Sequence, residues 1–72
     1  MISKEVWLDK IPSDKAGYFN RLKMSIDLFA RKMELSAYNI EMLMHEEGYT
    51  YIDNERKFIK TSEYKGRLFH VL

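Results

Sequence analysis

The feature that most constrains this chain is an apolar stripe. Tyr18, Leu22, Ile26, Phe29, Ala30 and Met33 recur every three or four residues, the spacing that lines one face of a helix. Asn20, Lys23, Asp27, Arg31 and Glu34 fall on the opposite, solvated face. The spacing predicts a helix over about residues 16–34, with Ser13 or Asp14 capping its start after Pro12. Gly17 lies near that start and predicts a fraying first turn, since glycine inside a helix costs up to about 1 kcal/mol. Ser36 offers a second cap, and Ala37, Ile40, Leu43 and Met44 keep the helical spacing as far as Gly48. Glycine takes positive φ without cost and stops a helix well. A second helix over about residues 37–47 therefore follows the first after a very short connection.

Beyond Gly48 the period changes. Tyr49-Thr50-Tyr51-Ile52 and Lys57-Phe58-Ile59-Lys60 are rich in strand formers, and Asp53-Asn54-Glu55-Arg56 between them supplies turn chemistry. These residues predict a β-hairpin whose register stays open, because both faces mix apolar and polar side chains. Ahead of Pro12, Val6, Trp7 and Leu8 show neither a clean strand nor a clean helix period. Trp7, the sole tryptophan, is expected to fold back onto the domain. The segment 67–72 reads equally as a third strand or a short helix, and its apolar residues as core or dimer contact.

These elements belong to one domain spanning 1–72, mainly α with a small β-hairpin. A chain of this size buries only about 60% of the surface it exposes when unfolded, so its core is thin. It has no cysteine, which excludes a disulfide framework and a thiolate nucleophile and makes a reducing compartment the default expectation. No apolar run reaches the roughly 20 residues of a membrane span, and no signal-peptide pattern opens the chain. With two histidines and no glycine-rich phosphate loop, the sequence reads as no enzyme, with no small-molecule substrate, cofactor or metal. His45-Glu46-Glu47 are consecutive and do not face one another on a helix, and His70 has no neighbouring ligand types. Glu41 and His45, four apart, suit a weak surface pair. The methionines suit core or interface filling.

Two helices joined so closely suggest a helix-turn-helix, in which a small residue sits where the backbones cross. Ala30 is that residue, flanked by Phe29, Met33 and Leu35 before the turn and by Ile40 and Leu43 after it. From Phe29 to Leu43 the chain resembles the helix-turn-helix of phage repressor-type regulators, which implies a winged-like helix-turn-helix core. An unrelated antiparallel helix pair would show the same stripe and stays open. Glu34 stands where that family usually has a turn glycine. Either it carries a left-handed conformation costing about 1–2 kcal/mol or the turn is built differently.

On that reading the second helix is the recognition element, and Ser36, Tyr38, Asn39, Glu41, Met42, His45 and Glu46 are its candidate contacts. Asn39 suits an adenine edge and Ser36 a phosphate. The charge opposes DNA. Glu34, Glu41, Glu46 and Glu47 are acidic, and no Lys or Arg lies among them, whereas DNA affinity rests on neutralising phosphates. Arg56, Lys57 and Lys60 on the hairpin suit a phosphate-contacting wing, or simply a solvated strand edge.

An acidic helix carrying Tyr38 and Met42 fits a basic protein surface better. Here the small format and acidic second helix resemble the temperate-phage modulators of repression, antirepressor proteins acting on a genetic switch between lysis and lysogeny. The resemblance implies a repressor's N-terminal DNA-binding domain as partner, inactivated by binding in the cytoplasm of a bacterial host. Direct binding of operator DNA by a dimer is the alternative function, and a structural or adaptor module a further one. If Ala30 sits at the helix crossing, Ala30→Leu overpacks it and lowers stability by about 1–3 kcal/mol in a denaturant melt.

Overall fold

Proline's fixed φ and missing N–H suit the first position of a helix, and Pro12 occupies that position. The computed structural model describes residues 1–64; the reading of 67–72 lies outside them. Within these residues α1 spans Lys4–Leu8, α2 Pro12–Leu22, α3 Ile26–Met33 and α4 Ala37–Glu46. Strands β1 (Tyr49–Ile52) and β2 (Lys57–Lys60) follow, joined by a short 3-10 turn over Asp53–Glu55, and helical backbone resumes at residues 61–64. The fold is thus mainly helical with a two-stranded antiparallel hairpin, paired in the register Tyr49–Lys60, Thr50–Ile59, Tyr51–Phe58 and Ile52–Lys57.

One open reading is resolved and two local expectations are corrected. The head segment is helical, with Ser3 Oγ accepting the Val6 N–H at 3.2 Å. The second helical segment begins at Pro12, so Ser13 and Asp14 lie inside its first turn and cap nothing; Ile11 precedes it. The helix expected over 16–34 is two helices. Lys23 turns left-handed at φ 56° and ends α2, and Ser25 restarts the chain by accepting the Leu28 N–H at 3.2 Å. Leu22 and Ile26 keep the four-residue spacing across this break, so the stripe runs through it unmarked.

The α3–α4 connection explains Glu34. Its φ of 57° is left-handed, its N–H bonds the Arg31 carbonyl at 3.2 Å, and the Leu35 N–H reaches back to Ala30 at 2.9 Å. That pair of bonds is a Schellman closure, usually built on glycine. Leu35 then packs on the core, and Ser36 caps α4 by accepting the Asn39 N–H at 3.0 Å. Gly48 ends the helix–strand junction at φ 94°.

The core is a chain of rings meeting edge to face. Trp7 packs on Phe29 at 5.1 Å, Phe29 on Phe19 at 5.0 Å, and Phe19 on Phe58 at 5.2 Å and Tyr51 at 5.8 Å. Ala16, Ile26, Ala30, Met33, Ile40 and Met44 fill around them, all buried. Trp7 is fully buried, as expected, and its indole N–H donates to the Lys15 carbonyl at 3.1 Å. Tyr18 holds the head from the other side, its hydroxyl accepting the Ile2 N–H at 3.0 Å. The Tyr51 hydroxyl accepts the first N–H of α3, from Ile26, at 3.3 Å, and burial pushes its ionisation above the usual phenol range.

Glu34→Gly relieves the left-handed cost without removing a packed side chain, because Glu34 is exposed. The expected gain is about 1 kcal/mol, which raises the melting temperature by about 4–8 °C for a domain of this size. Thermal circular dichroism measures it.

Candidate functional site

Helix α4 is anchored on one side only. Ile40 and Met44 are buried, Ala37 and Leu43 pack partly against the core, and the rest of the helix faces water. Tyr38, Asn39, Glu41, Met42, His45 and Glu46 together form that outward face, with Tyr38 70% exposed and Met42 41%. Six of the seven partner-contact candidates therefore share one continuous surface. The seventh, Ser36, is exposed but its oxygen is engaged as the helix cap. Among the described residues the side chains of Tyr38, Asn39, Glu41, His45 and Glu46 make no hydrogen bond or ion pair. The Glu41–His45 pair expected from their spacing is not formed.

Glu47 departs from the acidic patch in which its sequence position had placed it. Lys15 is 4% exposed, and its ammonium donates to both carboxylate oxygens of Glu47 at 3.0 Å. This ion pair ties the first turn of α2 to the C-terminus of α4. A lysine so placed reads as surface in the sequence, and nothing local marks it as buried. It leaves Glu41 and Glu46 as the exposed acids of α4, with no Lys or Arg on the helix.

The hairpin candidates sit on a separate element. Arg56 and Lys60 are exposed, while Lys57 is half-buried and pairs with Glu55 at 3.2 Å. Arg56 also carries the left-handed turn residue, at φ 52°. The outer edge of β2 is held by Asn20, read from sequence as a solvated helix residue. Its amide donates to the Phe58 carbonyl at 3.0 Å and accepts the Phe58 N–H at 2.8 Å, imitating a neighbouring strand. Asn20 and Lys15 escaped sequence reasoning because each is defined by a partner far along the chain.

Beside α4 lies a groove that the sequence did not reveal. Leu8 of α1 faces Leu35, Asn39, Ile40 and Leu43 across an apolar hollow of about 210 Å³. Among the described residues no three His, Asp or Glu side chains converge to hold a metal, and no helix is long and apolar enough to cross a membrane.

No family model, curated protein or solved structure matches the chain. The functional reading accordingly rests on the chemistry of α4 and its surroundings.

The Lys15–Glu47 pair generates a stability prediction. Glu47→Gln leaves a buried ammonium without its counter-charge, and the expected cost is about 3 kcal/mol. That is the low end for such pairs, because a quarter of the Glu47 side chain still meets water. Urea denaturation checks it, and an unchanged midpoint would show that the pair contributes nothing.

Proposed function

We propose that this chain is an antirepressor-type regulator: it docks the outward face of α4 on the DNA-binding domain of a repressor protein and keeps that domain off its operator. One observation carries the reading. The face combines an exposed tyrosine and methionine with Glu41 and Glu46 and carries no Lys or Arg. Tyrosine and methionine are enriched where interfaces bury surface, and acids complement the basic side chains a repressor turns toward phosphate. The same acids repel duplex DNA, which argues against insertion of this helix in a major groove.

Stability does not account for these residues. Glu46 lies in the last turn of α4, the end at which the helix dipole disfavours an anion. Tyr38, 70% exposed, sheds little surface on folding and its hydroxyl makes no hydrogen bond within the described residues. A surface kept against local preference is best explained by a partner. Such a function belongs in the cytoplasm of a bacterial host.

The test uses a labelled operator duplex carrying the repressor encoded beside this chain, followed by fluorescence anisotropy at two salt concentrations. The protein alone is expected to leave the duplex unchanged, and to release the repressor when added to the complex. Glu41→Lys with Glu46→Lys is expected to weaken that release at least tenfold, about 1.4 kcal/mol. Glu47 is left intact, since its reversal would break the ion pair with Lys15. A rise in anisotropy with the protein alone, steeply dependent on salt, would establish direct DNA binding through Arg56, Lys57 and Lys60 instead. Full release by the double variant would remove α4 from the interface.

A further inference from the structure

The groove between α1 and α4 is an apolar concavity beside the α4 face, and its size, lining and surroundings say what it takes. At about 210 Å³ it falls below the roughly 300–1,000 Å³ of pockets that enclose small organic ligands. It is wide enough for a bulky side chain inserted from outside. Its walls are Leu8, Leu35, Ile40 and Leu43, with Asn39 as the polar member at the rim. Leu8 is 39% exposed, and Met42, one turn beyond Asn39, is 41% exposed, so the apolar lining continues onto the open surface.

The charge around it is one-sided. Between residues 33 and 55 the chain has Glu34, Glu41, Glu46, Glu47, Asp53 and Glu55 and neither Lys nor Arg. Glu47 and Glu55 are neutralised by Lys15 and Lys57; Glu34, Glu41 and Glu46 are exposed and form no ion pair among the described residues. Glu46 stands three residues after Leu43, on the groove side of α4. The α1 side is balanced, with Lys4 and Lys10 against Glu5 and Asp9. Of the unpaired acids of α4, Glu46 stands beside the apolar hollow and Glu41 lies on the far side of the helix.

The geometry points to this groove as the anchor pocket for a basic amphipathic helix, which seats one large aliphatic or aromatic side chain against Leu8, Ile40 and Leu43 and sets a Lys or Arg over Glu46. This deepens the reading of α4 as a docking face and rests on it. A buried apolar anchor surrounded by complementary charge is the arrangement that concentrates binding energy in protein interfaces. It also assigns α1 a role beyond covering the core, since Leu8 closes one wall of the site.

Three synthetic helical peptides serve as probes, one with Lys opposite a Leu face, one with Glu opposite the same face, and one with Lys opposite a Ser face. They are titrated into the whole protein while backbone amide chemical shifts are followed. The Lys/Leu peptide is expected to shift Leu8, Asn39, Ile40 and Leu43 and to bind at least tenfold more tightly than either control. Leu8→Lys, at an already exposed position, is expected to weaken the Lys/Leu peptide at least tenfold while the amide spectrum stays folded. Leu43→Lys provides a second, independent block from the α4 wall. Equal binding of the two Lys peptides, or unchanged affinity in both variants, would overturn the groove. So would a dimer of the protein alone that Leu8→Lys dissolves, which would make a second copy the occupant.

The repressor titration separates the two ideas. A repressor that binds Leu8→Lys and Leu43→Lys as tightly as wild type overturns the groove and leaves the α4 reading standing. A repressor that does not bind, beside a Lys/Leu peptide that seats in the groove, supports the groove and removes that repressor as partner.

Discussion

The ring of Phe19 meets Phe29 edge-on at 5.0 Å and Phe58 at 5.2 Å, and these two contacts join α2 to α3 and to the hairpin. Phe29 carries the connection on to Trp7 and so to the head helix, while Tyr51 and Phe58 carry it into both strands. In a domain with so thin a core, each ring matters. A buried phenylalanine contributes about 1.5–3 kcal/mol through the water it sheds, and an edge-to-face partner adds about 0.5–1.5 kcal/mol. The other elements are arranged around this chain of rings. The break at Lys23 lets α2 and α3 present Phe19 and Phe29 to each other, which a continuous helix, with the two rings ten residues apart on one rod, would not allow.

Polar contacts then fix the geometry that the rings leave loose. Asn20 clasps the backbone of Phe58 and closes the outer edge of a hairpin that would be marginal alone. Lys15 serves twice, its carbonyl receiving the Trp7 indole and its ammonium holding Glu47. Both residues lie on α2, which thereby grips the head helix, the hairpin and the end of α4. No buried side-chain nitrogen or oxygen among the described residues lacks a partner. That completeness matters most at Lys15, because an unpaired ammonium in this position would undo much of what the rings supply.

Legibility in the sequence followed the range of the signal. The cap at Ser36, the stop at Gly48, the turn chemistry at Asp53–Arg56 and both strands were readable because each depends on residues a few positions apart. The outward face of α4 was readable for the same reason: a helical period around Ile40 and Met44 places Tyr38, Glu41, Met42 and His45 outside. The break at Lys23 was hidden because the apolar spacing survives it, although Ser25 carried a cap signal that the stripe outweighed. Lys15, Asn20 and the role of Glu47 were unreadable in principle. Their partners lie 32 and 38 positions away, and no local pattern distinguishes a buried lysine or a strand-clasping asparagine from surface residues.

The division of α4 follows from this arrangement. Its inner residues are committed to the core and its last acid, Glu47, to the Lys15 pair, so substitutions there report on stability before they report on anything else. Its outer residues have no such duty: the side chains of Tyr38, Glu41 and Glu46 make no hydrogen bond or ion pair within the described residues. The two sides of one helix are thus differently constrained by the fold, and the left-handed turn at Glu34 holds both in a fixed orientation relative to α3. A rigid helix with an unconstrained face pre-organises its contacts, and binding then loses less conformational freedom than it would from a mobile loop. A stiff, chemically distinct surface is the feature this architecture is best suited to present.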